Sequence, residues 1–448
     1  MKSKKNNQPY RVGLVGLGTI GTGVAKILLQ QNERISRAAC RNVELVRICD
    51  KDLTRGRGLD LPPGLLTDDL ESIANDPSID LAVELVGGVD FARTLVLSML
   101  EKGKNIVTAN KALLANCGTE IFSAARKYGK TIAFEAAVCG GIPILGALET
   151  TLQANRIQSI HAIVNGTCNY ILTQMEEKGT DYIEAIQNAQ QLGYAEADPT
   201  LDVDGSDATQ KLAILAQLGY RTNVDWRQIP KQGIQEVEAI DIQFARELGY
   251  KIRLLAVAEL DESPEKGQPE LELFVSPTLV LEESSLADVR NAFNAVKVFG
   301  DVVGPVFFHG YGAGELPTTS SVLGDIINTA LGRTAITFSA MNYWAHNDEA
   351  YQLKDPNEIV GKTYLRLLAE DRPGVLHEIS GVLGRFNISI AAMIQRGPQQ
   401  SKPLQSQEAV PLIITTHDAK EGDMLQAIEI LSKLSSVKSH PVRMRVRE

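Results

Sequence analysis

The chain has 448 residues, 44% of them hydrophobic, and a formal net charge of −10 at pH 7. That length holds two or three domains and a sizeable core, and the acidic balance argues against nucleic acid or an anionic membrane as a partner. Five scattered cysteines lack zinc spacing, no window approaches the ~18 uncharged apolar residues of a membrane span, and the basic "MKSKKNNQPY" has no apolar run behind it, so a cytoplasmic protein with reduced thiols is expected.

Residues 11–30, "RVGLVGLGTIGTGVAKILLQ", read as an apolar strand, a glycine turn and a helix. Further strands are expected at 42–50, 80–88, 105–114 and 130–141, with helical patterns such as "DFARTLVLSMLEKG" between them. Strands alternating with helices imply parallel βαβ units covered on both faces, a doubly wound α/β sheet over residues 1–135. Gly16, Gly18 and Gly21 form GxGxxG where the first strand meets its helix, with Thr19 and Ile20 in the same loop. Gly16 permits the turn, Gly18 lets a pyrophosphate approach the backbone, and Gly21 packs helix on strand, so a Rossmann NAD(P)-binding domain is expected. Asp50 ends the second strand and could accept from a ribose 2′-hydroxyl, although it lies further than the usual ~20 residues from the glycines. Lys51, Arg55 and Arg57 could instead hold a 2′-phosphate, which favours NADP with NAD tolerated.

Residues 136–342 change character. Strand-like "ELELFVSPTLV" (270–280) and "VKVFGDVVGPVFFHG" (296–310) mix with helical "DYIEAIQNAQQLGY" and "LPTTSSVLGDIINTAL", the pattern of an α+β catalytic and dimerisation domain whose last helix returns to the first domain. Residues 343–361 are polar and aperiodic and read as a linker. Residues 362–448 read as strand, Pro-Gly turn, helix, strand, strand, helix and an edge-like final strand, a ferredoxin-like βαββαβ module.

The stretch 196–215, "EADPTLDVDGSDATQKLAIL", sets Glu196, Asp198, Asp202, Asp204 and Asp207 ahead of one lysine, Lys211. Charge runs are ordinarily solvated faces, and Asp-Pro and Asp-Gly mark turns. A calcium loop does not fit: relative to Gly205 its positions fall on Thr200, Asp202 and Lys211. Asp207 is expected to cap or open the helix "DATQKLAILAQL", which puts Asp207 and Lys211 at i and i+4 on one face. A partly buried lysine loses its proton more easily, while a nearby carboxylate opposes that shift. The other acids would cradle a substrate ammonium group. The spacing alone leaves two readings open, a surface ion pair or a site for a small substrate cationic at one end and reduced at the other.

These motifs resemble those of homoserine dehydrogenase. "GYAEADPTLDVDGSDATQKL" is similar to that family's signature, and "VGLGTIGTGV", "TANKALLA", "FEAAVCGGIPI", "VNGTCNYIL" and "GYGAGELPTTSSVLGDI" resemble its other segments, in order over residues 10–330. "LLAEDRPGVLHEISGVLGRFNISI" resembles an ACT domain, and no aspartate kinase segment is present. The resemblance implies a homo-oligomeric enzyme, dimer or tetramer, that interconverts L-aspartate 4-semialdehyde and L-homoserine with NAD(P)H. It implies that Lys211 is the acid/base, that Asp207 fixes Lys211 and the substrate, and that Glu196 and Asp202 bind substrate. Thr108 and Lys111 would sit near the nicotinamide, with Lys111 the second candidate proton donor, and Gly193 and Gly314 against the cofactor. A sodium ion would be held by Glu135, Val138, Gly140 and Ile142, largely through backbone oxygens. Threonine is the implied effector, with Gly374 and Asn387 its nearest contacts. Ala197 and Thr319 depart from the family pattern, and neither touches a charged role.

Two rivals stay open: another Rossmann oxidoreductase, and a non-catalytic amino-acid sensor. The histidines at 161, 309, 346, 377, 417 and 440 are isolated, and neither Cys139 nor Cys168 has a histidine base beside it, so no thiol nucleophile is expected.

Overall fold

Strand β1 (Tyr10–Val15) is flanked by β2 (Val43–Cys49) and, through parallel pairing, is followed by β3 (Leu66–Thr67), β4 (Leu81–Glu84), β5 (Asn105–Thr108) and β6 (Ile132–Ala133) in the spatial order β3-β2-β1-β4-β5-β6. The computed structural model describes residues 8–262, 267–345, 350–395 and 409–447, and His346 lies outside them. Val12, Leu14, Leu81, Val83 and Val107 are buried, as a parallel sheet covered on both faces requires. The strand expected at 105–114 stops at Thr108, because Asn110 caps the helix Lys111–Lys127 by accepting from Leu113 N at 3.0 Å. The one expected at 130–141 yields only β6 before the chain turns through a 3-10 turn at Glu135–Ala137. The two-residue β3 carries no periodicity and was not legible.

The chain divides into two compact units. The first holds residues up to Gln158, Gln210–Gln228 and Asn294–Tyr351. The segment 296–310 is two strands, Phe293–Gly300 and Gly304–Tyr311, rather than one. The helix Glu315–Ala330 places Val322, Leu323 and Ile326 in the same core as Val12, Leu14 and Val24. Thr319 lies where a Cβ on Gly23 would meet its hydroxyl at 2.4 Å, so the departure from alanine is accommodated by a glycine on the neighbouring helix. Tyr343 and Trp344, at the head of the segment read as a linker, are buried against Phe122 and Phe134.

The second unit holds Ser159–Thr209, Ile229–Phe293 and Gln352 onward. Strands Ile157–Ile163, Tyr250–Asp261 and Glu270–Leu281 pair antiparallel in sequence order. The C-terminal module is βαββαβ, with Val360–Glu370 between Val442–Arg447 and Ala409–Thr416, and Ile390–Gln395 at the outside. Its helices Val375–Arg385 and Glu421–Leu431 bury Ile379, Val382, Leu383, Ala427 and Leu431 against that sheet. The final strand is not an edge. It pairs antiparallel with Val360–Glu370 and parallel with Glu270–Leu281, Arg445 facing Thr278 and Arg447 facing Val280. The arginines that made it resemble an edge are matched: Arg447 contacts Glu259 at 3.0 Å and Glu272 at 2.7 Å, and Arg445 contacts Glu421 at 3.1 Å with its guanidinium 4.2 Å from the Phe274 ring. Beside this seam Asp241, wholly buried, accepts from Tyr364 Oη at 2.8 Å and Arg366 Nε at 2.7 Å.

Candidate active site

In the first unit, Gly16 has φ +97°, and a Cβ there would meet Leu85 O at 2.6 Å, just past β4. β1 and β4 diverge at this point, where the helices change faces and doubly wound sheets bind ligands. Gly21 is tighter still: its Cβ would lie 2.0 Å from Gly16 O. Gly18 is the N-cap of the helix Thr19–Gln30, with no side-chain cap and open space where a Cβ would stand. A helix terminus uncapped by any side chain and open above suits a pyrophosphate, so the loop fits a dinucleotide. Thr19 and Ile20 open that helix. Asp50 Oδ2 accepts from Leu17 N at 2.5 Å, and its other oxygen lies 3.1 Å from Arg57, whose Nε donates to Leu17 O at 2.8 Å. Asp50 and Arg57 thus clasp the loop, and Lys51 is exposed beside them. Thr108 donates to Glu84 Oε2 at 2.5 Å in a buried pair at the ends of β5 and β4, and Lys111 opens the next helix. Gly314, at φ +120°, is the N-cap of Glu315–Ala330.

In the second unit the five acids part company. Asp198 binds its own turn, accepting from Thr200 Oγ1 at 2.5 Å. Asp204 accepts from Ser206 N at 2.8 Å and from Lys231 Nζ at 2.5 Å. Glu196 is exposed, and Gly193, at φ +77°, is exposed in the turn ahead of it. Only Asp202 and Asp207 converge, both accepting from Asn165 Nδ2 at 2.8 Å. Asp207 lies in the first turn of the helix Ser206–Tyr220, and Lys211 follows one turn later, partly buried ahead of Leu212, Ile214 and Leu215. Asn165 was missed as a site residue. Its signal was the Asn-Gly after an apolar run in "VNGTCNYIL", a helix N-cap pattern. His161 supplies no rival: it is 3.3 Å from Glu259, in the seam that also holds Arg447. Cys139 and Cys168 are buried small residues.

The turn holding Glu135, Val138, Gly140 and Ile142 uses side chains for structure. Glu135 accepts from Leu145 N at 3.0 Å and Gly146 N at 2.6 Å, and Cys139 has φ +51°. Among the described residues no group of three or more His, Cys, Asp or Glu is arranged to hold a metal ion, so any ion here would rest on carbonyl oxygens. A cavity of about 930 Å³ adjoins this turn, lined by Glu135, Glu149, Asp325, Arg333 and Tyr343 among others. Burial pushes Glu135 and Glu149 up to about 7, and Asp325 well above its ordinary range. Stability should follow. A carboxyl raised in the fold contributes stability that is complete below its ordinary value of 4.5 and lost as pH climbs through about 7. The thermal midpoint in sodium-free buffer is expected to fall across that window, and Glu149→Gln to flatten the fall. An equally steep fall in the variant would remove Glu149 from the effect.

In the C-terminal module Gly374, at φ +94°, caps the helix Val375–Arg385 and lines a cavity of about 360 Å³ with Asp371, Arg372, Gln395 and Leu412. Arg372 is held there by Glu370 at 2.6 Å and Glu378 at 3.0 Å. Asn387, at φ +55°, is in the turn after that helix and does not line this cavity.

Comparison with known proteins agrees along the whole chain. Residues 16–135 match the homoserine dehydrogenase NAD-binding domain model, 143–327 the homoserine dehydrogenase model, and 363–435 the ACT domain model. A Synechocystis homoserine dehydrogenase is 40% identical over 97% of this chain and 99% of its own length. A crystal structure of a homoserine dehydrogenase from Thiobacillus denitrificans superposes with TM-score 0.88 at 38% identity, covering 98% of this chain and 99% of that one. A hyperthermophilic archaeal homoserine dehydrogenase in complex with NADPH gives 0.59 at 26% identity, covering 72% of this chain and 98% of that one. With a nucleotide loop, a lysine behind paired aspartates and a C-terminal ACT domain on one chain, this protein belongs to the homoserine dehydrogenase family of NAD(P)-dependent oxidoreductases.

Proposed function

We propose that the chain catalyses the reversible reduction of L-aspartate 4-semialdehyde to L-homoserine, in the cytoplasm, on the route to threonine, isoleucine and methionine. The observation that carries this reading is the convergence of Asp202 and Asp207 at the head of the helix that bears Lys211. Two fixed carboxylates suit the substrate's ammonium group, and Glu196 is the exposed third. A nicotinamide cofactor held at the Gly16–Gly21 loop would supply or take the hydride at the carbon that carries the oxygen. Negative charge grows on the substrate oxygen during reduction, and Lys211 gives it a proton, which stabilises the transition state more than the ground state. The family resemblance makes Lys111 the second candidate donor. NADP is favoured over NAD by Lys51 and Arg55, exposed basic residues after Asp50. The turn at Glu135, Val138, Gly140 and Ile142 would hold sodium on its carbonyls. Threonine would bind the ACT domain at Gly374, whose helix N-terminus suits a carboxylate, and the enzyme would work as a dimer or tetramer.

Homoserine-dependent reduction of NADP⁺ and NAD⁺ at alkaline pH tests this. Turnover is expected with both, faster with NADP⁺ and slowed by millimolar threonine. Folded, cofactor-binding protein without turnover would sink the reaction. Turnover indifferent to threonine in rate and assembly would sink the effector alone.

A further inference from the structure

Residues 230–234 form a short strap along the outer edge of the strand Glu270–Leu281. Gln232 N donates to Val275 O at 2.8 Å and Val275 N to Pro230 O at 2.9 Å, the pattern of a parallel bridge. Further along the same edge lies the last strand of the C-terminal module, with Arg445 facing Thr278. The strap is tied to that module by two side chains. Gln232 Nε2 donates to Arg443 O at 2.9 Å. Arg366, on the strand that pairs with Val442–Arg447, reaches the residues that continue the strap. It donates to Glu236 O at 3.2 Å and meets Glu238 at 2.8 Å and Asp241 at 2.7 Å.

On its other side the strap holds the acid-rich turn. Ile234 N donates to Val203 O at 2.9 Å. A Cβ on Gly233 would lie 2.1 Å from Val203 O and 2.7 Å from Asp204 Cα, so the two backbones are in direct contact. Lys231 Nζ donates to Asp204 Oδ2 and to Ser206 Oγ, each at 2.5 Å, and Ser206 Oγ donates in turn to Asp204 Oδ2 at 2.9 Å. Burial would raise the Asp204 carboxyl, but the bonds from Lys231 and Ser206 outweigh it and hold it below its ordinary range. Ser206 opens the helix Ser206–Tyr220, so Lys231 fixes where that helix begins.

We propose that residues 230–234 couple the C-terminal module to the acid-rich turn, so that an effector bound to the module alters homoserine turnover through Lys231. The inference rests on the reaction and the threonine site proposed above. The strand Val360–Glu370 runs into the Gly374 cavity, which Glu370 lines, and its Leu365 faces Arg443, whose oxygen Gln232 holds. Contiguity alone does not couple two sites. A displacement is passed on where a bond would otherwise break, and the strap meets that condition because it shares an edge with the module's last strand. That strand cannot slide along Glu270–Leu281 without stretching the bond from Gln232 to Arg443. The strap cannot follow it without carrying Lys231, and with it Asp204 and Ser206. Threonine then changes turnover by as much as it distinguishes the two seatings of the strand.

Lys231→Met cuts the tie at the turn and leaves the backbone bridge to Val275 intact. The Lys231 side chain is 34% exposed, so the fold should hold. The readout is the ratio of homoserine kcat/KM without and with saturating threonine, beside threonine binding by calorimetry. In the unmodified protein that ratio is expected to be ~5-fold or more, the lower end of ordinary coupling. In Lys231→Met it should fall to near unity while threonine still binds. Lys231→Arg keeps a cation with several donors and should restore it. Gln232→Met keeps the length of the side chain without its donor and should lower the ratio as well. A lysine that merely stabilised the turn would lower kcat/KM equally in both conditions. An unchanged ratio in threonine-bound Lys231→Met would therefore overturn the coupling. So would failure of both methionine variants to fold and bind NADP⁺, which would leave the strap a structural splice. Homoserine turnover that ignores threonine in the unmodified protein is a separate result, and it would overturn the effector and the coupling with it. Absence of turnover would overturn the reaction itself.

Discussion

Lys211→Ala is expected to lose ~10²–10⁴ in homoserine turnover, the range that a positioned acid/base supplies, while NADP⁺ affinity and the fold remain. The helix that carries Lys211 is anchored by Leu212, Ile214 and Leu215, each 0% exposed, and none of that packing depends on the lysine side chain. Removing it deletes the proton donor and leaves these three anchors in place. Because the donor acts on charge that develops only as hydride moves, kcat should fall with little change in the homoserine KM. Lys211→Arg should not rescue, since a guanidinium does not give up its proton. Steady-state kinetics with a cofactor-fluorescence titration check both points. Near-normal turnover in Lys211→Ala would move the role to Lys111.

The second large effect is on stability. Asp241→Leu is expected to cost about 3–5 kcal/mol, as breaking one side of a buried ion pair does. Asp241 is 0% exposed, and its carboxylate receives Glu238 N at 2.9 Å, Tyr364 Oη at 2.8 Å and Arg366 Nε at 2.7 Å. Burial raises this carboxyl, and Arg366, the Glu238 amide and Tyr364 pull it back down. Leucine would leave the Tyr364 hydroxyl buried without its acceptor and Arg366 with only Glu238 and the Glu236 backbone oxygen. The triple change Asp241→Leu, Tyr364→Phe, Arg366→Met removes the stranded donors as well and should recover most of the loss. Urea unfolding of the single and triple variants decides. A single variant as stable as the parent would show that the seam relaxes, with the donors finding other acceptors.

How much of this was legible in the sequence depended on whether the signal was local. The nucleotide loop was, because its glycines act within one strand–turn–helix unit: Gly21 is required by Gly16, five residues away. The placing of Asp207 and Lys211 one turn apart on one helix was, because helix geometry sets i and i+4. The division of the five acids was not. Nothing in "EADPTLDVDGSDATQKL" says that Asp204 would be drawn to Lys231 or that Asp202 and Asp207 would meet at Asn165, residues supplied by other parts of the chain. The last strand misled for the same reason. Arginines at 443, 445 and 447 read as an exposed edge until Glu421, Glu259 and Glu272 are brought to them by the fold.

That last strand also sets an order of events. The outer edge of Glu270–Leu281 is covered at one end by Gln352–Leu353 and at the other by Val442–Arg447. During synthesis at ~5–20 residues per second, the earlier strand waits for its neighbour while the whole C-terminal module emerges. Until then it presents unpaired N–H and C=O groups, the kind of template on which chains pair with one another. A chain cut short before Val442 would show two such edges at once, its own and that of Val360–Glu370. The strand that completes the module is therefore also the strand that covers the edge of its neighbour.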